Sequence, residues 1–288
     1  MLYKIKLALS LLIKKLIEKY FKHYLWPKSL HSRNYNFGDL YTSDDVEKVT
    51  RANIGAGPYF KLNGWVSADF LPNFKTNNKN IIHIDLLENP DFLPFENLEA
   101  LYTSHTLEHF NIIIVKRLIK SMFNSLKEGG YLRIVVPDAS LIIDRVRNND
   151  IDYFTFFNSY FKNFSNYEIN ITDHALHALS DKRCRFSRNT FEDKAIEYQK
   201  FNDMIYNSNI EENEIIDYLN NHNFKQDEVG TYHLSCFNSY LLISLLKEVG
   251  FKIVYKSAFM QSKYNPMRQV PVFDGTHPWF SLYVEAIK

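Results

Sequence analysis

The sequence predicts an α/β fold built on a doubly wound, mostly parallel sheet. Three observations predict it. From about Val49, short apolar runs alternate with turns and one clear helical stretch. Residues suited to chemistry follow those runs, namely Gly55 and Gly57, Asp69, Asp85, His105 and Asp138. The run LRIVVPD is apolar enough to be covered on both faces, as strands of parallel sheets are. Open sheets of this kind bind ligands outside the carboxyl ends of their strands.

Taken in order, the first segment, residues 1–28, differs from the rest. It holds seven Lys and one Glu, a charge of +6, which leaves −5 for the remainder of a chain whose formal net charge is +1. At helical spacing Leu2, Ile5, Leu9, Leu12, Ile13, Leu16 and Tyr20 share one face, and Lys4, Lys14, Lys15, Lys19 and Lys22 lie opposite. Pro27 ends the segment. The expectation is a basic amphipathic helix, with two readings left open: packing on the following domain, or lying on an anionic membrane surface. No small-residue cleavage site follows, so a signal peptide is not expected. Residues 29–48 read as a polar linker, and 49–288 as one large domain.

Within it, candidate strands are Val49–Ile54, Val66–Phe70, Ile81–Asp85, Ala100–Ser104 and Leu132–Val136. A helix is expected from Asn111 to Lys127, stopped by Glu128-Gly129-Gly130. Residues 151–231 form an aromatic-rich insertion, expected to cover the cleft and choose the substrate.

Composition sets bounds. The chain has 288 residues, 45% hydrophobic and 23% charged, ordinary for one large domain or one with additions. A net charge of +1 gives no basic surface for nucleic acid. The two cysteines, Cys184 and Cys236, are far apart, which suggests a reducing compartment and offers no structural zinc spacing. No apolar run reaches the roughly 20 residues that span a bilayer. The expected location is cytoplasmic, with peripheral contact at the inner face of the cytoplasmic membrane through residues 1–28.

The stretch RANIGAGPYFKLNGWVSADF carries the cofactor argument. A glycine turn lets backbone N–H groups approach a ligand, and a carboxylate ending the next strand can hold a ribose diol. Dinucleotide sites use G-x-G-x-x-G opening a full helix, with the acidic residue about 20 residues on. Here Asp69 lies 12 residues after Gly57, and Asn63-Gly64 marks a turn between them. Little helix is left to meet a pyrophosphate, so S-adenosylmethionine fits better.

NIGAGPYFKLNGWVSADF, IIHIDLLENPDFLPF, ALYTSHTLEHF and LKEGGYLRIVVPD, in this order and spacing, resemble class I S-adenosylmethionine-dependent methyltransferases. More narrowly, they resemble the predicted group associated with bacterial surface-polysaccharide biosynthesis. The resemblance covers roughly residues 49–140 and continues weakly through HLSCFNSYLLISLLKEVGF and SLYVEAIK. It implies a seven-stranded Rossmann-like sheet whose last strand is antiparallel, the final pair lying in GFKIVYKSAF and WFSLYVEAIK. It also implies that Asn53, Gly55, Ala56 and Gly57 form the turn over the methionine. Asp69 would hold the ribose hydroxyls with Phe70 beside the adenine. Asp85 would bond the adenine amino group with Leu86 alongside. Ser104 and His105 would line the cleft beside the sulfonium. Glu108 and His109 belong to the same motif as structural residues at the helix start. The broad class has an acidic residue where Asn53 stands.

Methyl transfer is an in-line displacement at a carbon on positive sulfur, so alignment supplies most of the rate. A hydroxyl acceptor gains from a general base, and the candidates are His105, Asp138 and His233. His174 and His177, in DHALHAL, have metal-like spacing but no clear third ligand, so no metal is assigned and both are expected in the acceptor pocket. Arg183 and Arg185, with Arg188 in DKRCRFSRN, are placed there too, as a clamp for a phosphate or carboxylate. The expected reaction is methyl transfer to an oxygen of a surface glycan, in capsule or lipopolysaccharide, or of its activated precursor. Two alternatives stand beside it, a nicotinamide-dependent oxidoreductase and a non-enzymatic membrane-associated protein that keeps the cleft.

Overall fold

The computed structural model describes residues 50–57, 60–70, 81–161, 170–180, 191–221, 232–269 and 272–288. The expected helix at 1–28 and the linker at 29–48 lie outside the described residues. Seven strands form one sheet: β1 (Arg51–Ile54), β2 (Val66–Asp69), β3 (Ile81–His83), β4 (Leu98–Ser104), β5 (Leu126–Pro137), β6 (Ile253–Lys256) and β7 (Ser281–Ile287). Their spatial order is β3-β2-β1-β4-β5-β7-β6. The first five run parallel, and β7 runs antiparallel to both β5 and β6. This is a seven-stranded Rossmann-like sheet. The chain order reverses between β1 and β4, so the ligand crevice belongs above the carboxyl ends of those two strands.

One face of the sheet is covered by helices α1 (Ile112–Ser125) and α7 (Ser239–Val249). Asn111 starts α1 by accepting hydrogen bonds from Ile113 N and Ile114 N, and Asn238 starts α7 by accepting from Leu241 N. Gly250, at φ +119, closes α7 in the left-handed conformation. Val115, Leu118, Ile119 and Met122 of α1 then face Ala52, Ile54, Leu101 and Ile134 from the strands, all buried.

Among the described residues, a loop covers part of the opposite face. The connection from Gly57 to β2 is too short for a crossover helix, and described residues 60–65 form only the Asn63-Gly64 turn. Trp65, Tyr102 and Tyr283 are instead covered by Tyr264, Met267 and Phe273 of the loop between β6 and β7.

Helices α2 (Ala139–Arg147), α3 (Ile151–Phe161), α4 (Ile171–Ser180), α5 (Phe191–Tyr206) and α6 (Glu212–Asn220) share a second apolar core with Phe280 and Cys236. Because α2 leaves the carboxyl end of β5 and Phe280 precedes β7, this helical unit sits at the ligand edge. Among the described residues no helix is long and apolar enough to cross a membrane.

Strand limits moved by local hydrogen bonding. Asp85 is not in β3, because its carboxylate caps the turn at 86–88. Helix α1 ends at Ser125, before the expected Glu-Gly-Gly stop, and Leu126 is already extended. The glycines instead serve an irregularity in β5. Leu98 pairs Leu126, but Ala100 pairs Tyr131, so Lys127–Gly130 loop out. A Cβ on Gly130 would lie 2.8 Å from the Lys127 carbonyl oxygen.

Candidate active site

The glycine turn at the end of β1 is held from three sides. Gly55 N and Ala56 N donate to the Ala68 carbonyl at 2.9 and 3.4 Å. Gly57 N donates to Asp69 Oδ2 and Phe70 N to Asp69 Oδ1, both at 2.7 Å. Gly55 and Gly57 both have positive φ, +69° and +64°, which L side chains rarely adopt. Gly55 is also pressed against Thr106, since an added Cβ would meet Thr106 Oγ1 at 2.0 Å. A Cβ on Gly57 would meet no described atom within 4 Å, so this side of the turn is open.

Asp69 therefore ties the end of β2 to the turn. Burial pushes its carboxyl up, against the two backbone N–H bonds that favour the charged form. Each carboxylate oxygen keeps a lone pair for a further donor. Phe70 lies beside His83, with ring centroids 5.4 Å apart. Asp85 uses Oδ1 for Leu87 N and Glu88 N at 2.9 and 3.0 Å, which leaves Oδ2 without a bond among the described residues. Leu86 packs into the main core. Asn53 Oδ1, on β1, is buried and has no hydrogen-bond partner among the described residues, and Ser104 Oγ, at the end of β4, is buried.

His105 follows β4 with φ +50°, a left-handed conformation unusual for a non-glycine residue. The ring is fixed on both sides. Nε2 lies 2.8 Å from Ser281 Oγ, whose own hydrogen goes to the His277 carbonyl at 2.7 Å, so Nε2 is the donor. Nδ1 faces Glu108 Oε1 at 3.0 Å. His277 and Phe280 stand at 5.2 and 5.5 Å between ring centroids. Glu108 is fully buried. Burial raises its pKa, but His105, His109 and His233 outweigh that and hold it at about 2. Burial, with His105 adding to it, lowers His277 to about 4.

His233 reaches the same place from 125 residues downstream. Leu234 N and Ser235 N donate to the Glu108 carbonyl oxygen at 2.7 and 3.1 Å, and Ser235 Oγ donates to the Phe110 carbonyl. The His233 ring then stacks edge-on against His109, 5.1 Å away, and its Nδ1 meets the Ala178 carbonyl at 2.8 Å. That bond joins α4 to the site. His177 of α4 is lowered to about 4, by burial first and then by His233 and His174. His174 is buried, with Nδ1 on the Asn170 carbonyl at 2.7 Å.

The fold thus gathers Gly55, Ala56, Gly57, Asp69, Ser104 and His105 at the switch point, with His233 and α4 close behind. Asp138 stands apart. Its Oδ1 caps α2 through Leu141 N, and its Oδ2 lies 3.5 Å from Lys256 Nζ. Arg183, Arg185 and Arg188 lie outside the described residues. Sequence reasoning missed His277 and Ser281, which sit 172 and 176 positions from His105 with no local signal. It treated Glu108 and His109 as structural, although the SHTLEH spacing already placed three ionisable residues within one turn.

No protein-family model matches the chain, and no curated protein sequence matches it. Among solved structures the fold is similar to a SAM-dependent methyltransferase from Archaeoglobus fulgidus, at 11% identity and TM-score 0.38, over 96% of this chain and 94% of that one. It is also similar to an S-adenosylmethionine-dependent methyltransferase from Mesorhizobium loti, at 12% identity and TM-score 0.39, over 85% and 93%. A third is a possible histamine N-methyltransferase from Thermotoga maritima, at 13% and 0.36, over 83% and 81%. Likenesses this distant settle neither reaction nor ligand. The fold assignment rests on the strand order and its antiparallel seventh strand.

Proposed function

We propose that this protein binds S-adenosylmethionine and transfers its methyl group to an acceptor oxygen. One observation carries the reading. At the switch point a glycine turn with no helix behind it is bonded directly to the carboxylate that ends β2, Gly57 N to Asp69 Oδ2 at 2.7 Å. A pyrophosphate needs the N-terminus of a helix beneath it, and the described part of this connection has none, which disfavours a nicotinamide cofactor. A ribose needs a carboxylate with a lone pair to spare, and Asp69 has one on each oxygen.

In this reading Asn53 and Gly55–Gly57 lie under the methionine part. Asp69 takes the ribose hydroxyls, Phe70 and Leu86 flank the adenine, and Asp85 offers Oδ2 to the adenine amino group. Ser104 and His105 border the sulfonium. The acceptor oxygen attacks the methyl carbon as the carbon–sulfur bond breaks, and the sulfur leaves as a neutral thioether. An acceptor that is already anionic needs no base; for a hydroxyl, His105 and His233 are the histidines at this edge. Asp138, engaged as a helix cap, is the weakest candidate.

The finer proposal, a glycan acceptor, is supported by the sequence resemblance alone. Incubation of the protein with methyl-labelled S-adenosylmethionine and a surface-glycan extract tests it. Label incorporated into base-stable methyl ethers is the expected result. Cofactor binding without any label on glycan would remove the glycan from the proposal.

A further inference from the structure

We infer that Glu108, His109 and His233 form a binding site for one divalent transition-metal ion of the zinc class. Each offers one ligand atom, and the three atoms lie within 4.8 Å of one another. The ion that they suit follows from the donors: two imidazoles and one carboxylate fit zinc, cobalt(II), iron(II) or manganese(II), whereas magnesium and calcium prefer all-oxygen sites.

Three features make this a built site. First, Glu108 is fully buried, His105 Nδ1 approaches its Oε1 at 3.0 Å, and its Oε2 has no hydrogen-bond partner among the described residues. A buried carboxylate is costly unless it is paired, hydrogen-bonded or bound to metal. Second, both histidines are set to present the same nitrogen. His109 Nδ1 faces the Tyr232 carbonyl at 3.3 Å, and His233 Nδ1 faces the Ala178 carbonyl at 2.8 Å. A carbonyl only accepts, so each Nδ1 carries the hydrogen and each Nε2 carries the lone pair. Outer-shell carbonyls orient metal-ligating histidines in this way. Third, the two ligand segments are pinned to each other by the Leu234 and Ser235 N–H bonds to the Glu108 carbonyl. His109 and His233 are only half-buried, so a bound ion keeps positions open toward solvent.

Such an ion lowers the pKa of a hydroxyl or water bound to it. Lying next to His105, it would hold an acceptor oxygen in its more nucleophilic form. That role rests on the methyl-transfer reading; the site itself does not.

The test uses the full chain, stripped with EDTA, dialysed, and titrated calorimetrically with zinc, cobalt(II) and magnesium chlorides. The expected result is one zinc per chain, visible absorption bands with cobalt, and no competition from magnesium at equal concentration. His109→Ala and His233→Ala should each weaken zinc at least about 100-fold, since losing a ligand costs no less than losing an outer-shell partner. His83→Ala, outside the trio, should bind zinc as before. Circular dichroism establishes that the variants are folded. Because a variant may fail that check, wild-type stoichiometry is decisive alone: no zinc bound overturns the site, as does binding unchanged in both folded histidine variants. A parallel titration with S-adenosylmethionine separates the two readings. Cofactor without zinc overturns the site, and zinc without cofactor sustains it while overturning methyl transfer.

Discussion

Gly55 shows how tightly single residues are specified at this cleft. It needs φ +69°, and it lies where any Cβ would overlap Thr106 Oγ1 at 2.0 Å. A left-handed non-glycine residue costs about 1–2 kcal/mol, and overpacking adds about 1–3 kcal/mol. Gly55→Ala should therefore lower unfolding stability by about 2–5 kcal/mol by urea titration. Thr106→Ala in the same chain should restore part of the steric share and none of the backbone share, a coupling that a double-mutant cycle reads directly. An additive result would contradict the close approach. The contacts joining Gly55, Gly57 and the end of β2 at Asp69 lie between near neighbours in sequence and were legible for that reason. His277, Ser281 and the partnership of His233 with Glu108 were not, because hydrogen bonds spanning more than a hundred positions leave no periodic trace. Asp138 follows a strand at the ligand edge and caps α2, and in sequence a helix cap and a general base look alike.

At the scale of elements, the β6–β7 loop packs on the sheet at Trp65, Tyr102 and Tyr283, and one buried cluster fastens it. Arg133 of β5 is fully buried. It donates to Asp274 at 2.9 and 2.6 Å, to Glu285 at 3.0 Å and to the Ala258 carbonyl at 2.8 Å. Tyr102 OH accepts from Asp274 N at 2.8 Å, and Tyr255 OH donates to Glu285. Removing the one cation leaves two buried carboxylates uncompensated, so Arg133→Ala should cost about 3–5 kcal/mol. Exchanging several members at once for apolar residues of similar volume should cost much less. Equal losses from the single and the combined changes, by urea unfolding, would contradict a charge-driven cost. The strands and α1 were legible from apolar runs and caps, whereas the layer formed by residues 257–280 was not, since its anchors are ion pairs between distant positions. The helices of residues 151–221 were legible only as an insertion, their core being formed with α2 and Phe280 from outside that segment.

For the whole molecule, two half-buried histidines couple stability to pH. His177 and His277 are lowered from 6.5 to about 4 in the folded chain. As pH falls through 6.5, the unfolded chain takes up these protons while the folded chain does not. The unfolded state then binds more protons, so these two groups make stability fall between pH 6.5 and about 4. Urea midpoints over that range should drop, and His177→Phe should remove about one proton from the slope. A slope unchanged in that variant would contradict its half-buried, neutral state. The same enclosed edge explains the asymmetry of what could be read in advance. The side with the glycine turn and Asp69 is built from consecutive strands, while the side with His105 is assembled from α4, the segment after Tyr232 and the end of the β6–β7 loop.

The most direct test of the proposed function is calorimetric titration of the full chain with S-adenosylmethionine, with its demethylated product and with NAD. Saturable binding of the first two, no binding of NAD, and at least about tenfold weaker binding in a folded Asp69→Ala variant, a loss of about 1.4 kcal/mol, are the expected results. NAD binding in preference to S-adenosylmethionine, or cofactor affinity unchanged by Asp69→Ala, would contradict it.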